Sequence, residues 1–143
     1  MGALRLEGLT LNATDAFLSG TASGNGTAVG INQTLNVTKG NLTLSGNATG
    51  TGPGINITGG GINVSSGNLV LNGTANGFNS VGVALSNTTL TGHDINITGS
   101  TVTGGSGVKI DKGTLTAQNN LTVTGTNNNT NAHGIRVLNN SSF

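Results

Sequence analysis

Between Gly54 and Gly73 the chain reads G-I-N-I-T-G-G-G-I-N-V-S-S-G-N-L-V-L-N-G, and this pattern returns along the whole sequence with a nearly fixed period. The stretch holds three apolar pairs, Ile55/Ile57, Ile62/Val64 and Leu69/Leu71, each skipping one residue. Such spacing turns both members of a pair to one face of a β-strand and the residue between them to the other. Gly, Ser and Asn between the pairs suit bends. Three strands and three bends that return to their start make one coil of a β-solenoid.

The first pair recurs as Leu4/Leu6, Ile31, Ile55/Ile57, Val83/Leu85, Val108/Ile110 and Ile135/Val137. The second recurs as Leu9/Leu11, Leu35/Val37, Ile62/Val64, Thr88/Leu90 and Leu115/Ala117. The third recurs as Ala16/Leu18, Leu42/Leu44, Leu69/Leu71, Ile95/Ile97 and Leu121/Val123, in steps of 26, 27, 26 and 26 residues. The first column wanders more, so insertions are absorbed in the bend that precedes it. A fixed period in this range marks a repeat architecture.

Two flanking columns strengthen the pattern. Two residues after each third pair stands a glycine, Gly20, Gly46, Gly73, Gly99 or Gly125, which implies positive φ or no room for a Cβ. Directly before each third pair stands Asp15, Asn41, Asn68, Asp94 or Asn120, short side chains that cap a bend. Stacking would put these five in a ladder bonded from rung to rung. No two acids occupy adjacent rungs, where like charges repel. Glycine also precedes the first pair at Gly30, Gly54, Gly82, Gly107 and Gly134, with Ala3 the exception.

These columns predict an all-β chain, a right-handed parallel β-helix: a three-faced β-solenoid of about five coils of 24–28 residues. At roughly 4.8 Å per coil the rod is about 24 Å long. Residues 1–143 read as one β-helix segment. Met1-Gly2 looks like an expression start, and Ser141-Ser142-Phe143 stops inside a sixth coil, as in a piece of something longer. In coil two, either Ile31 faces inward with Gln33 in an apolar slot, or Val29 and Ile31 form the pair. Thr88 points inward and needs a backbone partner for its hydroxyl. Phe17 points outward, covering a neighbouring loop or marking a register slip rather than serving as a binding handle. The unpaired edges at the two ends invite end-to-end self-association.

Only 9 residues are charged and the net charge is +1, which leaves no electrostatic footprint for nucleic acid or anionic membrane. Three phenylalanines are too few for a stacking platform. There is no cysteine, hence no disulfide and no thiolate metal site. No signal peptide and no apolar run of transmembrane length stand out. The acids Glu7, Asp15, Asp94 and Asp111 lie in distant coils, too far apart for paired acid/base work. His93 and His133 read as solvated bend residues, and no spacing gathers three metal ligands. The glycine runs lack the aspartate of calcium nonapeptides and are followed by no phosphate-receiving helix. No catalytic, cofactor-binding or metal residue is therefore assigned, and the chain is read as a non-enzyme with no cofactor. A water-ordering face would want T-x-T in one column throughout, yet Thr101/Thr103, Thr114/Thr116 and Thr122/Thr124 fall in different columns.

One motif is in excess. N-x-[S/T] begins 15 times, whereas random order of 22 Asn and 34 Ser or Thr in 143 residues gives about 5. Strand alternation accounts for part of this, since two outward polar residues flank one inward apolar residue. The rest points to N-glycan acceptors. On that reading Asn36, Asn41, Asn56, Asn63, Asn96 and Asn120 lie along the rod faces as candidates.

Coils such as G-I-N-I-T-G-G-G-I-N-V-S-S-G-N-L-V-L-N-G-T-A and G-V-K-I-D-K-G-T-L-T-A-Q-N-N-L-T-V-T-G resemble the shafts of filamentous-haemagglutinin-type adhesins of two-partner secretion, with autotransporter passengers as close cousins. The resemblance is one of repeat style and covers all 143 residues. It implies a secreted, cysteine-free virulence rod at the bacterial cell surface. Such a rod is exported unfolded through an outer-membrane transporter and serves a parent adhesin that meets a host-cell or matrix receptor. It also implies cytoplasmic glycosylation at N-x-[S/T], as in some adhesins of the class. The N-P-N motifs of the secretion domain are absent, since Pro53 is the only proline. The alternative is a fragment of a β-helical carbohydrate-active protein, tailspike- or lyase-like, without its catalytic coils.

Overall fold

A computed structural model describes residues 3–143. The described residues form strands β1 (Leu4–Leu6), β2 (Thr10–Ala22), β3 (Val29–Ile31), β4 (Leu35–Ala48), β5 (Ile55–Val64), β6 (Leu69–Ala75), β7 (Val81–Gly92), β8 (Ile95–Thr101), β9 (Ser106–Ala117), β10 (Leu121–Asn127) and β11 (His133–Leu138). Every strand pairing is parallel and joins a segment to its copy one coil on. The result is a β-solenoid of about five turns. Its three faces are stacks of such copies. The first runs β1, β3 and the leading halves of β5, β7 and β9, then β11. The second runs from the start of β2 and β4 through the trailing halves of β5, β7 and β9. The third runs from the later parts of β2 and β4 to β6, β8 and β10.

Alternation along each strand builds the core. Leu42, Leu69 and Ile95 lie in one unbroken register, as do Leu44, Leu71 and Ile97, and all six are 0–1% exposed. The first coil is looser: Leu4, Leu9, Leu11, Ala16 and Leu18 are only partly buried. At the far end Ile135 and Val137 are 43% and 47% exposed, and with Ile110, Leu121, Val123 and Phe143 they border an open recess of about 260 Å³.

Register settles the open positions. Val29 and Ile31 stand opposite Ile55 and Ile57, so they form the inward pair of coil two and Gln33 is exposed. The column of small residues before the first pair is therefore Ala3, Ala28, Gly54, Gly82, Gly107 and Gly134, with Gly30 outside it. In coil four Leu90 lies opposite Ile62, so the second-face pair is Leu90/Gly92 and not Thr88/Leu90. Thr88 sits one step earlier, opposite Gly60. It is buried, and its hydroxyl donates to the Gly60 carbonyl at 2.8 Å. Phe17 stands in register opposite Thr43 and is 68% exposed, so it points outward as expected and marks no slip.

The five glycines after the third pair all lack positive φ. Their reason is space. A Cβ at Gly46, Gly73, Gly99 or Gly125 would stand 2.0–2.1 Å from the carbonyl oxygen of Gly54, Gly82, Gly107 or Gly134, and one at Gly20 would stand 2.2 Å from that of Ala28. Beyond this close approach the chain loops out and returns, enclosing a second, smaller core of Ala22, Ala28, Ala48 and Ala75. Further along the rod the same position holds Thr101, whose hydroxyl donates to the Gly104 carbonyl at 2.9 Å. Positive φ occurs elsewhere, and recurs at the corner between first and second faces in Gly8, Gly59, Asn87, Lys112 and Asn139.

Candidate functional site

The side chains before the third pair bond from coil to coil, and mostly to backbone. Asn41 donates its amide to Asp15 Oδ1 at 2.7 Å, while its own Oδ1 accepts the Asn68 backbone N–H at 2.8 Å. Asn68 Oδ1 then accepts the Asp94 N–H at 3.1 Å, and Asp94 Oδ1 accepts the Asn120 N–H at 3.0 Å. Asn41, Asn68 and Asp94 thus each close a bend in the next coil, where a backbone N–H would otherwise lack a partner.

All four acidic residues accept a hydrogen bond from an asparagine side chain of the next coil. Glu7 accepts from Asn32 at 3.5 Å, Asp15 from Asn41 at 2.7 Å, Asp94 from Asn119 at 2.9 Å and Asp111 from Asn139 at 2.8 Å. The donor lies one coil on in every case. Glu7 also pairs with Arg5, and Asp94 with His93 at 3.5 Å. Among the described residues no three His, Cys, Asp or Glu side chains come together.

The Asn119 amide holds the Asp94 carboxyl below its ordinary pKa, helped by the Asn120 N–H and by His93, while desolvation opposes them. A carboxyl depressed in the folded state stabilises fully above its unfolded pKa, and that contribution is lost as pH falls through the folded value. Asp94→Asn keeps the acceptor oxygen, as Asn68 does one rung below, and removes the titration. The variant's melting temperature is expected to fall less than the parent's between neutral pH and a pH below the carboxylate range. Equal falls in the two thermal melts would show that the contact adds nothing.

Charge is not spread evenly over the outside. Arg5, Lys109 and Arg136 share one outward column of the first face, with Glu7 and Asp111 beside it. The third face presents three outward columns: Phe17, Thr43, Val70, Asn96, Thr122; Ser19, Ser45, Asn72, Thr98, Thr124; and Thr21, Asn47, Thr74, Ser100, Thr126. None of these carries a charge, and none is buried.

The asparagines singled out from the sequence occupy different surroundings. Asn41, Asn63, Asn96 and Asn120 are exposed, while Asn36 and Asn56 are half-buried. Asn36 and Asn63 are direct neighbours on adjacent coils of the second face. Asn63 Oδ1 accepts from Thr91 at 2.6 Å, and Asn56 Oδ1 accepts from its own Thr58 at 3.2 Å. Asn47 and Asn72 escape a search for apolar residues between polar ones, because the residue after each is Ala48 or Gly73, too small to signal an inward slot. Both are exposed on the third face.

Comparison with protein-family models, curated proteins and solved structures finds no match to this chain. The β-solenoid stands on its own register.

Proposed function

We propose that the chain is a structural and adhesive shaft segment of a secreted bacterial surface exoprotein of the filamentous-haemagglutinin type, carrying N-linked sugars. The observation that carries this reading is the use of polar groups. The four carboxylates are all engaged one coil on, so the outside offers Thr, Ser and Asn rather than a reactive cleft. A carbohydrate-active coil would instead need free carboxylates facing one another. The 15 acceptor motifs supply the glycan half of the reading. Receptor contact belongs to the parent protein, and the outer-membrane transporter is the partner during export.

The test is an in-frame fusion of residues 3–143 between a two-partner secretion domain and a surface reporter, expressed with a cytoplasmic N-glycosyltransferase. The reporter is expected at the cell surface, and the exported chain is expected to gain hexose mass. Retention in the periplasm would overturn the shaft reading. Export without added mass would remove the sugars from it.

A further inference from the structure

We infer that the third face is the sugar-bearing face, with Asn47, Asn72 and Asn96 as the acceptors whose glycans the folded rod displays; this rests on the glycosylated-shaft reading above. Each begins an acceptor motif, Asn47-Ala48-Thr49, Asn72-Gly73-Thr74 or Asn96-Ile97-Thr98. In each the middle residue is buried, so the asparagine and its partner hydroxyl residue both face out. Among the described residues none of the three amides makes a side-chain hydrogen bond of the kind that ties the ladder asparagines. A substituent on Nδ2 therefore breaks nothing.

Their placement adds a second argument. Asn47 lies opposite Thr74 and Asn72 opposite Thr98, so each asparagine is one coil and two residues from the next. That diagonal sets them roughly 8 Å apart, from strand spacing near 4.8 Å and a two-residue advance near 6.7 Å. A pyranose with its hydroxyls is wider than one strand spacing, so sugars on a single column of adjacent coils collide. Asn36 and Asn63 are such a column pair. The diagonal avoids this, on a face with no charged side chain to desolvate.

Three other acceptors, Asn32, Asn41 and Asn139, have their amides bound into the fold. The Asn41 amide lies between two rungs, donating to Asp15 and accepting from Asn68. Asn32 and Asn139 give their amides to Glu7 and Asp111. A sugar on any of them competes with coil stacking.

The chemistry is one displacement. The amide Nδ2 attacks the anomeric carbon of a nucleoside-diphosphate hexose, the C–N bond forms and the C–O bond to the diphosphate breaks. The amide proton passes to a base of the transferase, and the nucleoside diphosphate leaves.

The experiment starts from the urea-unfolded full chain, returned to dilute buffer briefly with a cytoplasmic-type N-glycosyltransferase and UDP-glucose. It is then refolded, and the protease-resistant fraction is mapped by peptide mass spectrometry. Hexose at Asn47, Asn72 and Asn96 is expected at the same occupancy in the folded fraction as in the starting pool, with hexose at Asn41 depleted several-fold. The triple variant Asn47→Gln, Asn72→Gln, Asn96→Gln is expected to fold and to lose from that fraction the hexose mass that those three sites carry in the parent. Retention at Asn41 equal to that at Asn72, or depletion of the three, overturns this inference and leaves the glycosylated shaft standing. A starting pool with no added mass overturns both.

Discussion

Deleting Gly46 through Asn72 is expected to leave a folded rod one coil shorter, whereas deleting Gly46 through Thr58 is expected to abolish the fold. The first deletion joins Ser45 to Gly73. Because Gly46 stands opposite Gly73 in the present register, Gly73 lands where Gly46 stood and every later residue keeps its column. Each coil contacts chiefly its neighbours, so stability falls by one repeat and one interface without loss of the rest. The second deletion joins Ser45 to Gly59 and removes Ile55 and Ile57, the inward pair of the first face. The chain from Gly59 onward then enters the stack on the wrong face, and all later inward columns are displaced. Circular dichroism and thermal melts separate the two outcomes: a cooperative strand signal for the first, a coil spectrum without a transition for the second. Equal tolerance of both deletions would count against interchangeable coils.

Leu71→Ala is expected to cost about 2–5 kcal/mol, the range for emptying a leucine site in a packed core. Leu71 is wholly buried in mid-rod, with Leu44 below it and Ile97 above. Parallel stacking gives little freedom to collapse into the gap, because closing it would shift two neighbouring coils. The adjacent Asn72 faces outward, so Asn72→Ser is expected to leave stability nearly unchanged. Denaturant midpoints of the two variants measure the contrast. An unmoved midpoint for Leu71→Ala would refute the inward assignment.

How far the sequence revealed this structure depended on what marked each column. The third face was legible throughout because Leu, Ile and Val pairs there are bracketed by an Asx residue and a glycine. The second face slipped in coil four, where Gly92 takes the place of an apolar residue and Thr88, also buried, imitates one. The inward column Ala22, Ala48, Ala75, Thr101 and Asn127 stayed hidden because it changes from methyl to hydroxyl to amide along the rod. Lys112 takes positive φ with nothing in its chemistry to announce it, unlike Gly59 and Asn87. On the surface, the excess of acceptor motifs was readable, and the ladder column marked Asn41 as tied. The ties of Asn32 and Asn139, and the lack among the described residues of one at the Asn120 side chain, were not legible. Such ties depend on whether a carboxylate or hydroxyl happens to lie one coil away.

The close approach of each third-face glycine to the residue that begins the next first face works as a neck. From Gly46 to Gly54 the chain leaves the coil, forms its loop and comes back to the same point, with the Gly54 carbonyl where a side chain would be. From Gly73 to Gly82 it does so with one residue more. Once the neck is closed, the length of the loop beyond it no longer bears on where the next strand begins. The molecule therefore has one edge along which segments can be lengthened or exchanged while pitch and register of the rod stay fixed. A foreign peptide placed between Gly73 and Gly82 would be carried on the outside of the rod, repeated at will by repeating the coil.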